Sequence, residues 1–338
     1  MLLIGDVGAT HARFALISAA DGVMRPMREQ VLPSQRYDSF DTVVHEFLSR
    51  TPDVPIDRAV FAVAGAVVDG GAELTNVGWV LSESELADAF DIPSVRLVND
   101  LVALAYGVAQ LGPEDVHTLQ PGEPERNGPI AIVAPGTGLG QGYLNWDGSS
   151  YVARPSEGGH VDFAPGDELQ RELLAWGWRR FPHVSYERVC SGTGVPNLYD
   201  FLKERGTAPE EPWLAERLAA APDRTPVIVD AAFDPRTPSG LCLATLELFA
   251  SILAAEAGNA ALRAVATGGV YLGGGMPRRV LPLLERPSFI ERFCAKGRVS
   301  DFVARIPLHV IVARGVALRG AAHVAMSEVG WRVGREER

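Results

Sequence analysis

Leu2-Leu3-Ile4-Gly5-Asp6-Val7-Gly8-Ala9-Thr10, resuming as Phe14-Ala15-Leu16-Ile17, is one of two copies of a single pattern in this chain. The other is Ile130-Ala131-Ile132-Val133 running into Pro135-Gly136-Thr137-Gly138-Leu139-Gly140. The copies extend from Leu2 to Ser18 and from Ile130 to Trp146, each an apolar strand, a glycine-rich turn and an apolar return strand. A glycine turn lets backbone N–H groups converge on an anion with no Cβ in the way, and consecutive N–H groups form an anion-binding concavity. With Gly8 laid on Gly138, Asp6 falls on Gly136 and Thr10 on Gly140, so only one of the two turns carries a carboxylate. Asp6 would repel a bare phosphate but suits one that reaches the protein through Mg²⁺, an ion usually held by one or two carboxylates and several waters. Either turn alone reads as an ordinary hairpin. The pair points to a nucleotide gripped through its phosphates from two sides.

Spelling narrows the kind of site. No G-x-x-x-x-G-K-[S/T] occurs, and Gly136-Thr137-Gly138-Leu139-Gly140-Gln141 lacks the third glycine of a dinucleotide fingerprint, so neither a P-loop nor a Rossmann site is supported.

The 338 residues leave room for two domains, and 47% apolar residues with a mean hydropathy of +0.07 mark a globular chain with sizeable cores. A net charge of −11, a pI near 5.2 and the lack of a basic run argue against nucleic acid or an anionic membrane surface as partner and leave small molecules. Cys190, Cys242 and Cys294 match no zinc spacing or disulfide framework and read as idle thiols in a reducing cytosol. The N-terminus enters Leu2-Leu3-Ile4 with no basic n-region or cleavage site, and no apolar stretch reads as reaching the roughly 18 residues of a membrane span. The cytoplasm is the expected location.

Along the chain, helices are expected at Tyr37 to Ser49, Ser82 to Phe90, Leu101 to Leu111, Leu241 to Val265 and Gly315 to Ser327. Strands are expected at Arg58 to Ala64, Ser94 to Val98 and Val270 to Leu272. Strands alternating with helices indicate an α/β domain with a largely parallel central sheet. Gly112 to Pro129, rich in Pro, Gly and Glu, reads as a connection between domains, and Leu214 to Gly240 as a segment rich in Ala, Pro and Asp.

Asp100 follows an apolar strand and precedes a helix, the carboxyl end of a strand where open α/β sheets place ligand crevices. It suits a general base; Asn99 and Asp100 equally suit a helix N-cap. Ser156-Glu157-Gly158-Gly159-His160-Val161-Asp162 sets a carboxylate and an imidazole around two glycines that oppose a helix, hence a loop presenting Glu157 and His160 to a polar ligand. Glu187, within Val184 to Val189, reads only as the surface of a helix.

Taken in order, Gly5 to Arg13, Val98-Asn99-Asp100, Ala134 to Gly140, Glu157 to Pro165 and Thr267 to Gly275 resemble bacterial glucokinase over nearly the whole chain, with Glu157 to Pro165 the most diagnostic. The resemblance implies an actin-like (ribonuclease H-like) sugar kinase fold, a small α/β domain (1–111 plus 313–338) and a larger α+β domain (112–312) around a cleft. It also implies ATP, Mg²⁺, glucose and a homodimer. By match of position it assigns Asn99, Asp100, Glu157, His160 and Glu187 to the sugar, with Asp100 the catalytic base. It assigns Gly5, Asp6, Val7, Gly8, Ala9 and Thr10 with Gly136, Thr137 and Gly138 to the phosphates, and Gly268, Gly269, Gly273 and Gly274 to the adenosine side. Asp6 is the expected Mg²⁺ residue, through water. Ala9 stands where the family has glycine, His11 where it has asparagine, and Ser191-Gly192-Thr193-Gly194 where it has Ser-Gly-Pro-Gly. The Cys-rich zinc motif of the related repressor and kinase group is absent. Rival readings are a kinase for fructose, mannose or an amino sugar, a non-catalytic sugar sensor, against which the chain shows no helix-turn-helix ahead of the first strand, and a phosphatase or ATPase of the actin-like group.

Overall fold

The computed structural model describes residues 1–8, 10–18, 25–51, 54–74 and 77–327. Its contacts divide the chain into two units, one of residues 1–112, 151–155 and 313 onward, the other of 113–150 and 156–312.

In the first unit β1 (Leu2–Val7), β2 (His11–Ser18) and β3 (Arg25–Pro33) form an antiparallel meander, and α1 (Phe40–Ser49) leads to β4 (Arg58–Val63). A small antiparallel sheet follows, of β5 (Val67–Val68), β6 (Gly71–Leu74) and β7 (Trp79–Ser82). Then come α2 (Glu83–Phe90), β8 (Val95–Asn99) and α3 (Asp100–Val108). The main sheet runs β3-β2-β1-β4-β8, with β1, β4 and β8 parallel. β1 is apolar at successive residues because it is covered on both faces. Leu3 and Val7 join a core with Phe14, Phe40, Phe47 and Phe61, whereas Leu2 and Ile4 face the opposite cluster with Val60 and Leu318.

Helix starts lie where side-chain caps put them. Ser39 and Ser82 hold extended backbone and accept from the N–H groups of Thr42 and Glu85, so α1 begins at Phe40, later than Tyr37, and α2 at Glu83. The helix expected to Leu111 ends at Val108.

The second unit begins with β9 (Val116–Gln120), β10 (Ile130–Pro135) and β11 (Leu139–Trp146); β12 (Tyr151–Ser156) follows, most of it counted with the first unit. Helices α4 (Glu168–Trp178), α5 (Val195–Arg205), α6 (Pro212–Ala220), α7 (Arg224–Ala232) and α8 (Gly240–Ala264) come next. β13 (Gly269–Leu272) is followed by α9 (Met276–Arg279), α10 (Leu281–Leu284), α11 (Pro287–Cys294), α12 (Ser300–Ala304) and β14 (Leu308–Ile311). Strands β11, β10, β13, β14 and β9 lie side by side in that order, with β10, β13 and β14 parallel. The chain then returns to the first unit as α13 (Val316–Met326), packed on α3, β1 and β4.

Three expectations are corrected here. The stretch from Gly112 to Pro129 is more than a connection: it holds β9, hydrogen-bonded antiparallel to β14, which alternation too weak to read in Val116–Gln120 concealed. The segment after Leu214 contains most of α6 and all of α7. Among the described residues one helix, α8, is long and apolar enough to cross a membrane, with a mean hydropathy of 1.6. It is the central core helix of its unit, with Leu241, Leu246, Phe249, Ile252 and Leu253 fully buried.

Candidate active site

The first turn is braced from beneath by Ser34. This buried residue donates its hydroxyl to the Gly8 carbonyl at 2.7 Å and its N–H to the Thr10 carbonyl at 3.0 Å, while Gly8 N–H donates to His11 at 3.0 Å. Thr10 and His11 are exposed at the tip. Asp6 lies in β1 opposite Arg13, where burial pushes its carboxyl above the usual range and the Arg13 charge pulls it back. Gly5 is set in the core: a Cβ there would fall 2.7 Å from a Phe61 ring carbon, so its smallness accommodates the aromatic cluster rather than a phosphate. The Val7 side chain is buried in the same core, and Ala9 lies outside the described residues.

The strand register corrects the superposition of the two turns. β1 and β10 each end one residue before a glycine, so Gly8 corresponds to Gly136, not Gly138, and Asp6 to Ala134. Val7 pairs with Ala12 but Pro135 with Leu139, so the first turn is also one residue longer. Glycine spelling alone cannot fix the phase of two turns of unequal length.

The second turn rests on Ser191 to Gly194. The Gly136 carbonyl accepts from Gly192 N–H at 2.8 Å, and the Thr137 carbonyl accepts from both the N–H and the hydroxyl of Thr193 at 3.1 Å. Thr193 thus supplies two donors that a proline lacks. With these carbonyls engaged, the N–H groups of Thr137 and Gly138 have no partner among the described residues. A cavity of about 760 Å³ adjoins this turn, lined by Gly136, Thr137, Thr193, Arg224, Met276 and Arg279 among others. Arg224 is held by both oxygens of Asp200 at 2.7 and 3.0 Å, whereas exposed Arg279 has no ion-pair partner among the described residues. Gly273 donates to Val133 at 2.9 Å at the end of β13 near this turn. Gly268 and Gly269 sit at the other end of that short strand, where Gly268 N–H donates to Pro129 at 2.9 Å. They open the strand and do not line the cavity, because a parallel register places its start beside Ile130, away from Gly136.

Asn99 is the N-cap of α3. Its Oδ1 accepts from Leu101 and Val102 N–H at 2.9 and 3.3 Å, and its Nδ2 donates to the Gly65 carbonyl at 3.0 Å. Asp100, half-buried in the first turn, accepts from Leu101 N–H at 2.9 Å. Asn99 therefore performs the capping role and holds Asp100 at the strand end.

In the second unit Gly158–His160 form one 3₁₀ turn, and Glu157 and His160 are presented at 83% and 60% exposure with 3.9 Å between them. The two glycines let this turn lie on β11, since a Cβ on Gly159 would fall 2.0 Å from the Leu139 carbonyl. Glu187 lies in a turn, not on a helix. Its carboxylate accepts from Leu139 N–H at 2.9 Å and its own N–H donates to the Gly159 carbonyl at 2.9 Å. The structure thus joins Glu187, Gly138-Leu139 and the Glu157 turn, and nothing local in the sequence signals that union. Ser34 and Arg279 are likewise invisible in the spelling, and Thr193 shows there only as a departure from the family's proline, because each acts through chain-distant backbone or a shared cavity.

Among the described residues no three His, Cys, Asp or Glu side chains converge as a metal cage. A single carboxylate beside a turn fits Mg²⁺ that arrives with substrate phosphates, which needs few protein ligands.

Comparison with known proteins agrees with this architecture. The Glucokinase family model matches residues 3–328. A glucokinase of Trichormus variabilis is 39% identical over 336 residues, covering 95% of this chain and 98% of its own. The crystal structure of a glucokinase from an Antarctic psychrotroph superposes with a TM-score of 0.80 at 32% identity, over 95% of this chain and 97% of that one. A Balamuthia mandrillaris glucokinase, solved with glucose, shares the fold with a TM-score of 0.79 at 21% identity, over 96% and 93% of the two chains. The fold is that of the actin-like sugar kinases. The chain belongs to the glucokinase family.

Proposed function

We propose that this enzyme transfers the γ-phosphoryl group of ATP to the primary hydroxyl of glucose, yielding glucose 6-phosphate and ADP. The observation that carries the reading is Glu187, whose carboxylate and backbone tie the second glycine turn to the loop bearing Glu157 and His160. A phosphate-type turn and a polar-ligand loop are thus one construction.

Asp100 accepts the hydroxyl proton as the sugar oxygen bonds to the γ-phosphorus and the bond to the β-phosphate oxygen breaks. Asn99 caps the helix that carries Asp100 and lends its remaining amide hydrogen to the sugar. Glu157 and Glu187 accept from the other hydroxyls, and His160 donates. Partners of this sort discriminate against a sugar lacking a hydroxyl, which would leave them unpaired. Thr10, at the exposed tip of the turn that Gly8 shapes, and the N–H groups of Thr137 and Gly138 hold phosphates. The adenosine side occupies the 760 Å³ cavity, with Gly273 and Gly274 packed on the strand end and Gly136 of the adjoining turn, and with Arg279 in its lining as a cation that has no ion-pair partner among the described residues. Mg²⁺, held by Asp6 through water, would supply charge neutralisation on the phosphates. A homodimer in the cytoplasm completes the proposal; the location is in keeping with Cys190, Cys242 and Cys294 all being free thiols.

The test is ADP release from MgATP without sugar and then with glucose, fructose, mannose and N-acetylglucosamine in turn. Release driven by glucose above the others is expected. Release driven by another of these sugars reassigns the substrate, and sugar-independent or absent release overturns the kinase reading.

A further inference from the structure

Glu256, midway along α8, is a carboxylate with 0% exposure that no role above employs. Its Oε1 accepts from Gln141 Nε2 at 2.8 Å and pairs with Arg263 at 2.5 Å; its Oε2 accepts from Asn259 Nδ2 at 3.0 Å. Burying a charge among the apolar residues of α8 is costly unless it is paired and hydrogen-bonded, and an apolar side chain of similar volume would often serve stability as well. Stability alone therefore gives no reason for a carboxylate at this position.

The network forks from Glu256 toward two loops. On one arm Gln141, also 0% exposed, directs its Nε2 to Glu256 and leaves its Oε1 without a hydrogen-bond partner. Reversing that amide would set its oxygen against the carboxylate, so Glu256 dictates the orientation. The Oε1 then rests where a Cβ on Gly158 would come within 2.2 Å, directly beneath the turn that follows Glu157. On the other arm Asn259 Nδ2 also donates to the Tyr186 hydroxyl at 3.0 Å, and Lys296 fixes the Asn259 amide by donating to its Oδ1 at 2.7 Å. Tyr186 is buried, donates its N–H to Val161 at 3.1 Å, and precedes Glu187 in the chain.

The geometry points to Glu256 as a positioning residue that sets Glu157 through Gln141 and Glu187 through Asn259 and Tyr186. The inference rests on the reading of Glu157 and Glu187 as sugar contacts. Both carboxylates would have to meet one small ligand, and misplacing a positioned group by about 1 Å can cost about 100-fold. A single buried anchor for both loops keeps their spacing constant.

The variants are Glu256→Gln and, should that chain fail to fold, Gln141→Met, which keeps volume but cannot bond to Glu256. The readouts are glucose Kd by titration calorimetry, separate KM values for glucose and MgATP, and the thermal midpoint. The expected result is a glucose Kd and KM raised about 10- to 100-fold with MgATP KM within about twofold. Unchanged glucose affinity in a folded variant overturns the inference. So does a parallel rise of both KM values with a lowered midpoint, which is the signature of general loosening. A wild-type chain that does not bind glucose overturns the functional reading and this inference with it; a wild-type chain that binds, beside an unaltered variant, overturns this inference alone.

Discussion

A Cβ on Gly138 would lie 2.4 Å from Glu187 Oε2, inside any van der Waals contact. Gly138→Ala must therefore displace the carboxylate that holds Leu139 and, through its backbone, the Glu157 turn. We expect kcat/KM for glucose to fall by about 10²-fold, because a displaced sugar carboxylate loses positioning, and steady-state kinetics on the folded variant checks it. Asp100→Asn keeps the shape of the first turn of α3 but removes the base; turnover should drop about 10²- to 10⁴-fold with glucose affinity retained. Near-normal turnover there would take Asp100 out of the mechanism. At this scale the residues with a local signature were legible: Asp100 after its strand, Gly8 and Gly136 in their turns. Gly5 was not, since a packing glycine and a ligand glycine are spelled alike and only the rings of Phe14 and Phe61 tell them apart.

Elements with strong periodicity or a clear cap were readable, and their ends were decided by single side chains such as Ser39, Ser82 and Asn99. Pairings between elements were not. α3 and α13 are separated by most of the chain, yet a Cβ on Gly320 would sit 1.7 Å from the Ala103 carbonyl and one on Gly107 2.1 Å from the Val316 carbonyl. Two backbones this close leave no room for a methyl group. Gly320→Ala should lower the stability of the fold by about 1–3 kcal/mol, the cost of overpacking a well-filled contact, as measured by urea unfolding. An unaltered unfolding midpoint would contradict so close an approach. β9 escaped the sequence reading for the same reason: five residues of mixed burial become a strand only because β14 offers them an edge.

For the whole molecule, the doubled hairpin of the sequence proves to be a doubled sheet. The orders β2-β1-β4-β8 and β11-β10-β13-β14 match, each with three parallel strands and an antiparallel return. Global stability also carries an electrostatic signature. Burial, with Arg292 nearby, pulls Lys296 down to about 8, below its ordinary 10.5. Between these values the unfolded chain binds the proton that the folded one has released, so this group makes stability rise as pH rises from about 8 toward 10.5, with its penalty fully present below 8. Urea midpoints across that range should climb more steeply, or fall less, in the wild type than in Lys296→Met. Equal slopes would show that Lys296 titrates as it does in the unfolded chain.

By itself the sequence determined the doubled hairpin, an α/β domain, the two glycine turns and the strand-end carboxylate, because local spacing, glycine content and apolar runs act over a few residues at a time. Tertiary structure alone decided that Glu187 joins the second turn to the Glu157 loop, that Gly268 and Gly269 open a strand away from the cavity, and that Glu256 bonds to Gln141, which packs under Gly158, and to Asn259, which bonds to Tyr186. Each of these depends on which distant backbone or side chain completes a hydrogen bond. Strand register and helix packing set those partners across tens to hundreds of residues, where no pattern in the chain records them.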